Sequence, residues 1–280
     1  MHPIKQKALD LGVDGVAFLN LRDYSSPRSP DPRNYLTSAM SLVLYFVREL
    51  PGGYMNQSII RMHSLGGADY ADYYIGYNLA RFIEDKYLEE TITMPGHRPF
   101  EINEDSWKSI IGPISLRHAA SQCGFGILGK NGVVVNPTWG SMIRIGAVLT
   151  SFNLDSDKPI DFRPCVSCNY PCDKMCPVSA IQFENGQTIV DQPKCTKYSQ
   201  PYDVGNFTRF LLKLVEADKK KKIEMLLTPH WFNLFMASMG YMYYGCIECT
   251  RGCPGTRLKK EYASLEPKRR TATRLSDILQ

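Results

Sequence analysis

Cys165-Val-Ser-Cys168-Asn-Tyr-Pro-Cys172-Asp-Lys-Met-Cys176-Pro177 places four cysteines within twelve residues and closes on a proline. A second group answers it downstream: Cys195, then Cys246-Ile-Glu-Cys249-Thr-Arg-Gly-Cys253-Pro254. This is the spacing of a chain that holds two cubane iron–sulfur clusters. Each iron of a [4Fe–4S] cube takes one thiolate. Three cysteines close together in a loop wrap one face, and the fourth comes from elsewhere because a short loop cannot encircle the cube. In two-cluster ferredoxins the cysteine before the proline ligates the other cluster. That rule assigns Cys165, Cys168, Cys172 and Cys253 to one cluster, and Cys176, Cys195, Cys246 and Cys249 to the other. Two Cys₄ zinc sites compete with this reading, since C-x₂-C pairs also suit tetrahedral zinc; zinc does not explain a Cys-Pro at the end of both groups. The first group is one residue longer than the common bacterial run, the extra residue falling at Asn169-Tyr170-Pro171. A disulfide framework fits poorly, because no secretory signal precedes the cysteines and their density is local.

Working outward, 280 residues suffice for one large or two modest domains. No apolar run reaches the length of a membrane span; Leu42-Val-Leu-Tyr-Phe-Val47 is strand-sized. Met1-His-Pro-Ile-Lys-Gln-Lys lacks the apolar core of a signal peptide, so a cytoplasmic protein with no membrane partner is expected. The net charge of +5 is mild, and the basic runs Lys219–Lys222 and Lys268–Arg270 read as solvated faces or as contacts to an acidic donor.

In chain order, Ile4–Leu11 reads as a helix stopped by Gly12. Val16–Leu19 and Leu42–Val47 read as buried strands, separated by a turn-rich loop over 23–34. An amphipathic helix opens at Asp69-Tyr70, with Ile75, Leu79, Phe82 and Ile83 on one face. Its tyrosines, Tyr70, Tyr73, Tyr74, Tyr77 and Tyr87, are taken for packing. Pro113–Gln122 forms a helix, and Val133–Val135 pairs with Ile143–Leu149 as a hairpin. Between the cysteine groups, helices are expected over 207–216, 223–227 and 231–239. Cys123, the ninth cysteine, is expected to be a buried, inert thiol.

Gly124-Phe-Gly126-Ile-Leu-Gly129-Lys130-Asn131 matches the dinucleotide fingerprint, yet a helix precedes it and a strand follows, the reverse of a Rossmann unit. It also nearly matches a P-loop, but Asn131 cannot supply the magnesium-binding hydroxyl. Two readings stay open: a tight turn in which glycines let backbones approach, and a loop against which a cofactor lies.

The segment from Gly112 through Arg117, the glycine turn and Lys130-Asn131, then Gly140-Ser141 and Ala147–Thr150, resembles the cobalamin-binding core of epoxyqueuosine reductases, relatives of the corrinoid reductive dehalogenases. Tyr244–Pro254 is similar to that family's second cysteine motif, and Gly67-Ala-Asp-Tyr70 to its Gly-x-Asp-Tyr-His, with Ala71 in place of histidine. The resemblance implies an α+β fold: a nitroreductase-like cobalamin-binding domain over 1–160, then a two-[4Fe–4S] ferredoxin-like module over 161–256. Inserted helices would occupy 196–245, and 257–280 a tail or docking helix. It implies a corrinoid, bound base-off, against Asn131, Val134, Ser141 and Ile145, with Lys130 and Met62 as further contacts. Ile110 stands where the family carries its proton-donating aspartate. Substitute donors in this reading are Tyr70, His63, His97 and Glu104. The family's C-terminal helical repeats find no counterpart before Gln280, from which tRNA is expected to be an unlikely partner.

The function expected is thus a corrinoid-dependent reductase, an enzyme that draws low-potential electrons from a ferredoxin- or flavodoxin-type donor to reduce a small substrate. Two alternatives accompany it: a reductive activator of a corrinoid protein, and a flavin-dependent iron–sulfur reductase. A dimer is compatible with either.

Overall fold

The computed structural model describes residues 1–27, 29–50, 59–94, 112–166, 168, 172–184, 187–202, 204–240, 246–251 and 253, with the backbone alone at 59–70, 187, 204 and 238–240. An antiparallel sheet lies at the centre. Its strands are β1 (Gly15–Asn20), β2 (Ser41–Arg48), β3 (Thr91–Met94) and, later in the chain, β6 (Ile143–Thr150), in the order β1-β2-β6-β3.

The run 42–47 is apolar at every position because both faces of β2 are covered. Leu42, Leu44 and Phe46 join one core, with Leu19, Ala147 and Leu149; Val43, Tyr45 and Val47 join the other, with Phe18 and Val148. Helix α1 (Pro3–Asp10) and helix α2 (Ile59–Tyr87) close the second core through Ile4, Ala8, Ile75, Leu79 and Ile83, all at most 2% exposed. Gly12 takes φ +94° just past α1, the left-handed stop expected of it. On the other face sits α3 (Leu116–Gln122), with Leu116, Ala119 and Ala120 buried.

α2 begins well before Asp69, its backbone running as helix through Gly66-Gly67, a pair that reads as a break. Tyr87 packs on Phe152 at 4.7 Å, whereas Tyr73, Tyr74 and Tyr77 are exposed, so only part of the tyrosine stretch is core.

The expected hairpin does not form. β5 (Val134–Val135) pairs with β4 (Ile127–Leu128), and β6 belongs to the main sheet. The cause lies at Gly126, where a β-carbon would collide with the Val135 carbonyl: the glycine turn folds back on the strand that follows it. Asn136 closes the next turn, donating to Phe125 O at 2.6 Å and accepting from Thr138 N at 2.8 Å. Downstream of the sheet, Asp157 anchors the chain to β1, accepting from Phe18 N at 2.7 Å and from Lys5 at 2.6 Å.

The cysteine-rich part carries short elements. These are α4 (Cys172–Met175), the hairpin β7 (Ile181–Glu184) and β8 (Gln187–Val190), and α5 (Gln192–Ser199) with Asp191 as its N-cap. Three helices then follow, α6 (Val204–Glu216), α7 (Lys219–Leu226) and α8 (Pro229–Gly240), each within a few residues of its expected place. Helix α9 (Glu248–Arg251) packs against α4. No helix among the described residues is long and apolar enough to cross a membrane. The expected tail over 257–280 lies outside the described residues.

Candidate functional site: a cavity bordered by cysteines

The eight paired-motif cysteines gather into two neighbourhoods. Burial first, then the nearby thiols of Cys253, Cys165 and Cys168, pushes the Cys172 thiol up to about 11. Cys249 is pushed up to about 12 by burial and by Cys246, Cys195, Cys172 and Cys176 in turn. Cys195 is raised by burial and Cys176, and Cys246 by burial with Glu248, Cys195 and Cys176 beside it. Cys172 thus neighbours Cys165, Cys168 and Cys253, and Cys249 neighbours Cys246, Cys195 and Cys176 together with Cys172, so the two groups of thiols adjoin.

This grouping rests on chain geometry. α4 presents Cys172, and the turn after it presents Cys176, whose sulfur accepts from Ala180 N at 3.2 Å. α5 carries Cys195, and the start of α9 carries Cys249. Sulfurs crowded in this way resist becoming thiolates together, because each charge is partly desolvated and repelled by its neighbours. A cationic centre shared by four of them reverses that balance, so the donor set fits an iron–sulfur cube. Among the described residues no three His, Cys, Asp or Glu side chains are placed to hold a single metal ion. Cys123 stands apart, 2% exposed, its thiol pushed up to about 12 chiefly by burial.

Beside the second quartet lies a cavity of about 1230 Å³. Asn131, Val134, Ser141 and Ile145 line it, and so do Cys176, Cys195, Cys246 and Cys249. The glycine turn and the cysteine motif are joined directly: Asn131, 6% exposed, donates from its amide to Cys249 O at 3.4 Å. Arg117 of α3 holds the far side of the turn, donating to Gly132 O at 2.5 Å. Gly124 and Gly126 are pressed against Lys158 O and Val135 O, and Gly129, which lines the cavity, lies close to Asn131 Oδ1 and Val135, so the tight-turn reading holds at all three.

Lys130 does not line the cavity. Its side chain is exposed and its ammonium stands over the Phe183 ring at 5.5 Å, a cation–π contact that draws it outward. The side chains of Met62, His63 and Tyr70, and all of His97, Glu104 and Ile110, lie outside the described residues. Three cavity groups went unnoticed in the sequence: Asp72, His118 and the buried Glu49, which binds Arg144 Nε at 3.1 Å. Only three-dimensional proximity marks them.

No family model matches the chain. Among curated proteins it is similar to the epoxyqueuosine reductase of Aliivibrio fischeri, 27% identical over 225 residues, which is 80% of this chain and 49% of that one. The epoxyqueuosine reductase of Cyclobacterium marinum is 28% identical over 83% of this chain and 63% of its own length. The chain thus spans about half the length of the curated relatives it matches. Of solved structures, epoxyqueuosine reductase from Streptococcus thermophilus superposes with a TM-score of 0.53 at 17% identity, over 91% of this chain and 65% of that one. A catabolic reductive dehalogenase does so with a TM-score of 0.53 at 20% identity, over 70% and 28%.

One expectation falls. A solved epoxyqueuosine reductase with an epoxyqueuosine-modified tRNA-Tyr stem loop matches 92% of this chain and 67% of its own, with a TM-score of 0.51 at 18% identity. A tRNA-acting reductase therefore carries the same fold, and the lack of a C-terminal counterpart was no ground for setting tRNA aside. In sequence the chain is thus similar to proteins named epoxyqueuosine reductase, which are oxidoreductases by name, and it shares its fold with them and with a reductive dehalogenase.

Proposed function

We propose that this chain is a cobalamin-dependent iron–sulfur reductase. Cys165, Cys168, Cys172 and Cys253 would hold one [4Fe–4S] cube and Cys176, Cys195, Cys246 and Cys249 the other, supplying low-potential electrons, and the adjoining cavity would hold a corrinoid. The observation that carries this reading is the shared wall: Asn131, Val134, Ser141 and Ile145 line the same space as the second quartet. That space exceeds the roughly 300–1,000 Å³ of a drug-sized ligand's pocket, as a macrocycle requires. When bound, the corrinoid supplies a cobalt centre reducible at low potential; the protein supplies position and potential.

The chain's own residues do the rest. The thiolates hold the cubes. The Asn131 amide and the Arg117 guanidinium fix the glycine turn, and Val134 and Ile145 keep the floor apolar. In this reading residues 1–160 form the nitroreductase-like corrinoid domain and 161–256 the ferredoxin-like module. The relatives' names make an epoxyqueuosine-bearing tRNA stem loop the first substrate to try.

A second reading, a reductive activator of a corrinoid protein, draws on the apolar outer surface of α6–α8, where Leu212, Val215, Phe232 and Met236 are exposed. Anaerobic reconstitution with iron, sulfide and cobalamin tests both. About eight irons and one cobalt per chain are expected from cubane stoichiometry. A zinc-filled or cobalt-free product sinks the reductase, a flavin spectrum favours a flavin enzyme, and turnover only with a corrinoid protein present favours the activator.

A further inference from the structure

One cavity wall lies outside the cofactor contacts just assigned. Asp72 of α2 lines it and is 8% exposed. Tyr45 Oη of β2 donates to Asp72 Oδ1 at 2.7 Å and lies 3.0 Å from the Asp72 carbonyl oxygen. Two glycines make the room. A β-carbon on Gly146, in the middle of β6, would collide with Asp72 Oδ1; one on Gly76, inside α2, would stand 2.7 Å from Tyr45 Oη. Glycine within a helix or strand costs roughly 0.5–1 kcal/mol relative to alanine. One such position stands against the Asp72 carboxyl group and the other against the Tyr45 hydroxyl bonded to it, where an apolar pair would fill space without the loss of hydration.

We propose that Asp72 delivers protons into this cavity, with Tyr45 as the positioning residue that holds its carboxyl group. The inference rests on the reductase reading. Reduction of an epoxide takes two electrons and two protons. A C–O bond breaks, and the electrons come singly, through the clusters, from a low-potential donor of the ferredoxin or flavodoxin type. The oxygen leaves protonated, as a hydroxyl when carbon takes the other proton or as water when a C=C bond forms. Asp72 gives its carboxyl proton to that oxygen and regains one from solvent.

The other acidic side chains of the cavity are held otherwise. Glu49 is held in an ion pair by the Arg144 guanidinium at 3.1 Å. Asp191 accepts from Lys194 N at 3.0 Å as the cap of α5. Tyr45 keeps its own proton, since burial first and then the neighbouring carboxylate raise its pKa far above the usual phenol. Of the elements packed on α2, β2 presents Tyr45 and β6 presents Arg144, while β3 has no ionising side chain. On α1, Lys5 and Lys7 reach Asp157 and the Phe82 ring instead.

The test uses the holoprotein with both clusters and cobalamin, a chemical one-electron reductant, and the epoxyqueuosine-modified tRNA stem loop as probe. Three quantities are read: product formed, cobalt reduction by absorbance, and protons taken up on reduction, the last needing no substrate. Asp72→Asn is expected to keep its iron and cobalt and to reduce cobalt at the wild-type rate. It should lose about 100-fold or more in turnover, the scale of a general acid, and take up fewer protons; Asp72→Glu should recover part of both. Tyr45→Phe removes a hydrogen bond to the charged form, which raises the proton affinity of Asp72. The limb of the pH profile on which turnover falls should therefore move to higher pH. A loaded Asp72→Asn protein with wild-type turnover or, where the probe is not turned over, wild-type proton uptake overturns the proposal. So does a His118→Gln variant that alone reproduces the loss. Should Asp72→Asn lose its cobalt, Tyr45→Phe decides, and an unmoved limb, or unchanged proton uptake against pH, counts against the idea. Wild-type protein that retains no cobalt brings down the reductase reading, and this inference with it.

Discussion

A single β-carbon is enough to disturb the glycine turn. At Gly126 an added methyl meets the Val135 carbonyl, a backbone atom that cannot swing aside, so β4 and β5 must part. Gly126→Ala is expected to destabilise the protein by about 1–3 kcal/mol, the range for overpacking, read as a lower urea midpoint with an unchanged slope. A wild-type midpoint would mean that the turn relaxes freely. Residues of this kind were half legible in the sequence. The glycines announced a close approach, but which partner each approached depends on β5 folding back, which no spacing reveals. The Tyr45–Asp72 pair was hidden altogether. Its members lie 27 positions apart, and Asp72 sits inside a tyrosine-rich stretch that reads as packing.

Among the elements, α2 and α6 sit at opposite extremes of burial. Leu79 and Ile83 of α2 are fully buried against the sheet, so Leu79→Ala or Ile83→Ala should each cost about 2–5 kcal/mol. Leu212 and Val215 of α6 are 59% and 73% exposed, so Leu212→Lys or Val215→Lys should change stability by no more than about 0.5 kcal/mol in the monomer. Paired denaturation curves check both; a large loss at Val215 would indicate that this face is covered in solution. The long apolar strands were readable from their runs, and the helices between the cysteine groups from their periodicity. β3 escaped because Thr91–Met94 is four residues with no distinguishing pattern, and the start of α2 escaped because Gly66-Gly67 looks like a stop. In both cases tertiary contacts decide what local preference does not.

At the level of the whole molecule, the spacing proposed a division of the cysteines by the Cys-Pro exchange rule, and Cys172 does neighbour Cys165, Cys168 and Cys253, while Cys249 neighbours Cys172 as well as Cys176, Cys195 and Cys246. On the proposed reading, Cys172→Ser should lower bound iron from about eight to about four atoms per chain, leaving the signal of the second cluster in paramagnetic resonance. Loss of all iron would instead mean that neither cube stands alone. What no spacing conveyed was that one wall of the cavity would be built from the cysteine segments themselves.

On the proposed reading, that shared wall sets an order of maturation. The amide of Asn131 reaches the Cys249 carbonyl, and four of the cavity's borders are sulfur-bearing. A nascent chain without iron and sulfide has only part of its corrinoid berth assembled. Cobalamin offered first should wash away, and cobalamin offered after iron and sulfide should stay, so cells short of iron would accumulate a precursor lacking both cofactors, never one carrying cobalt alone.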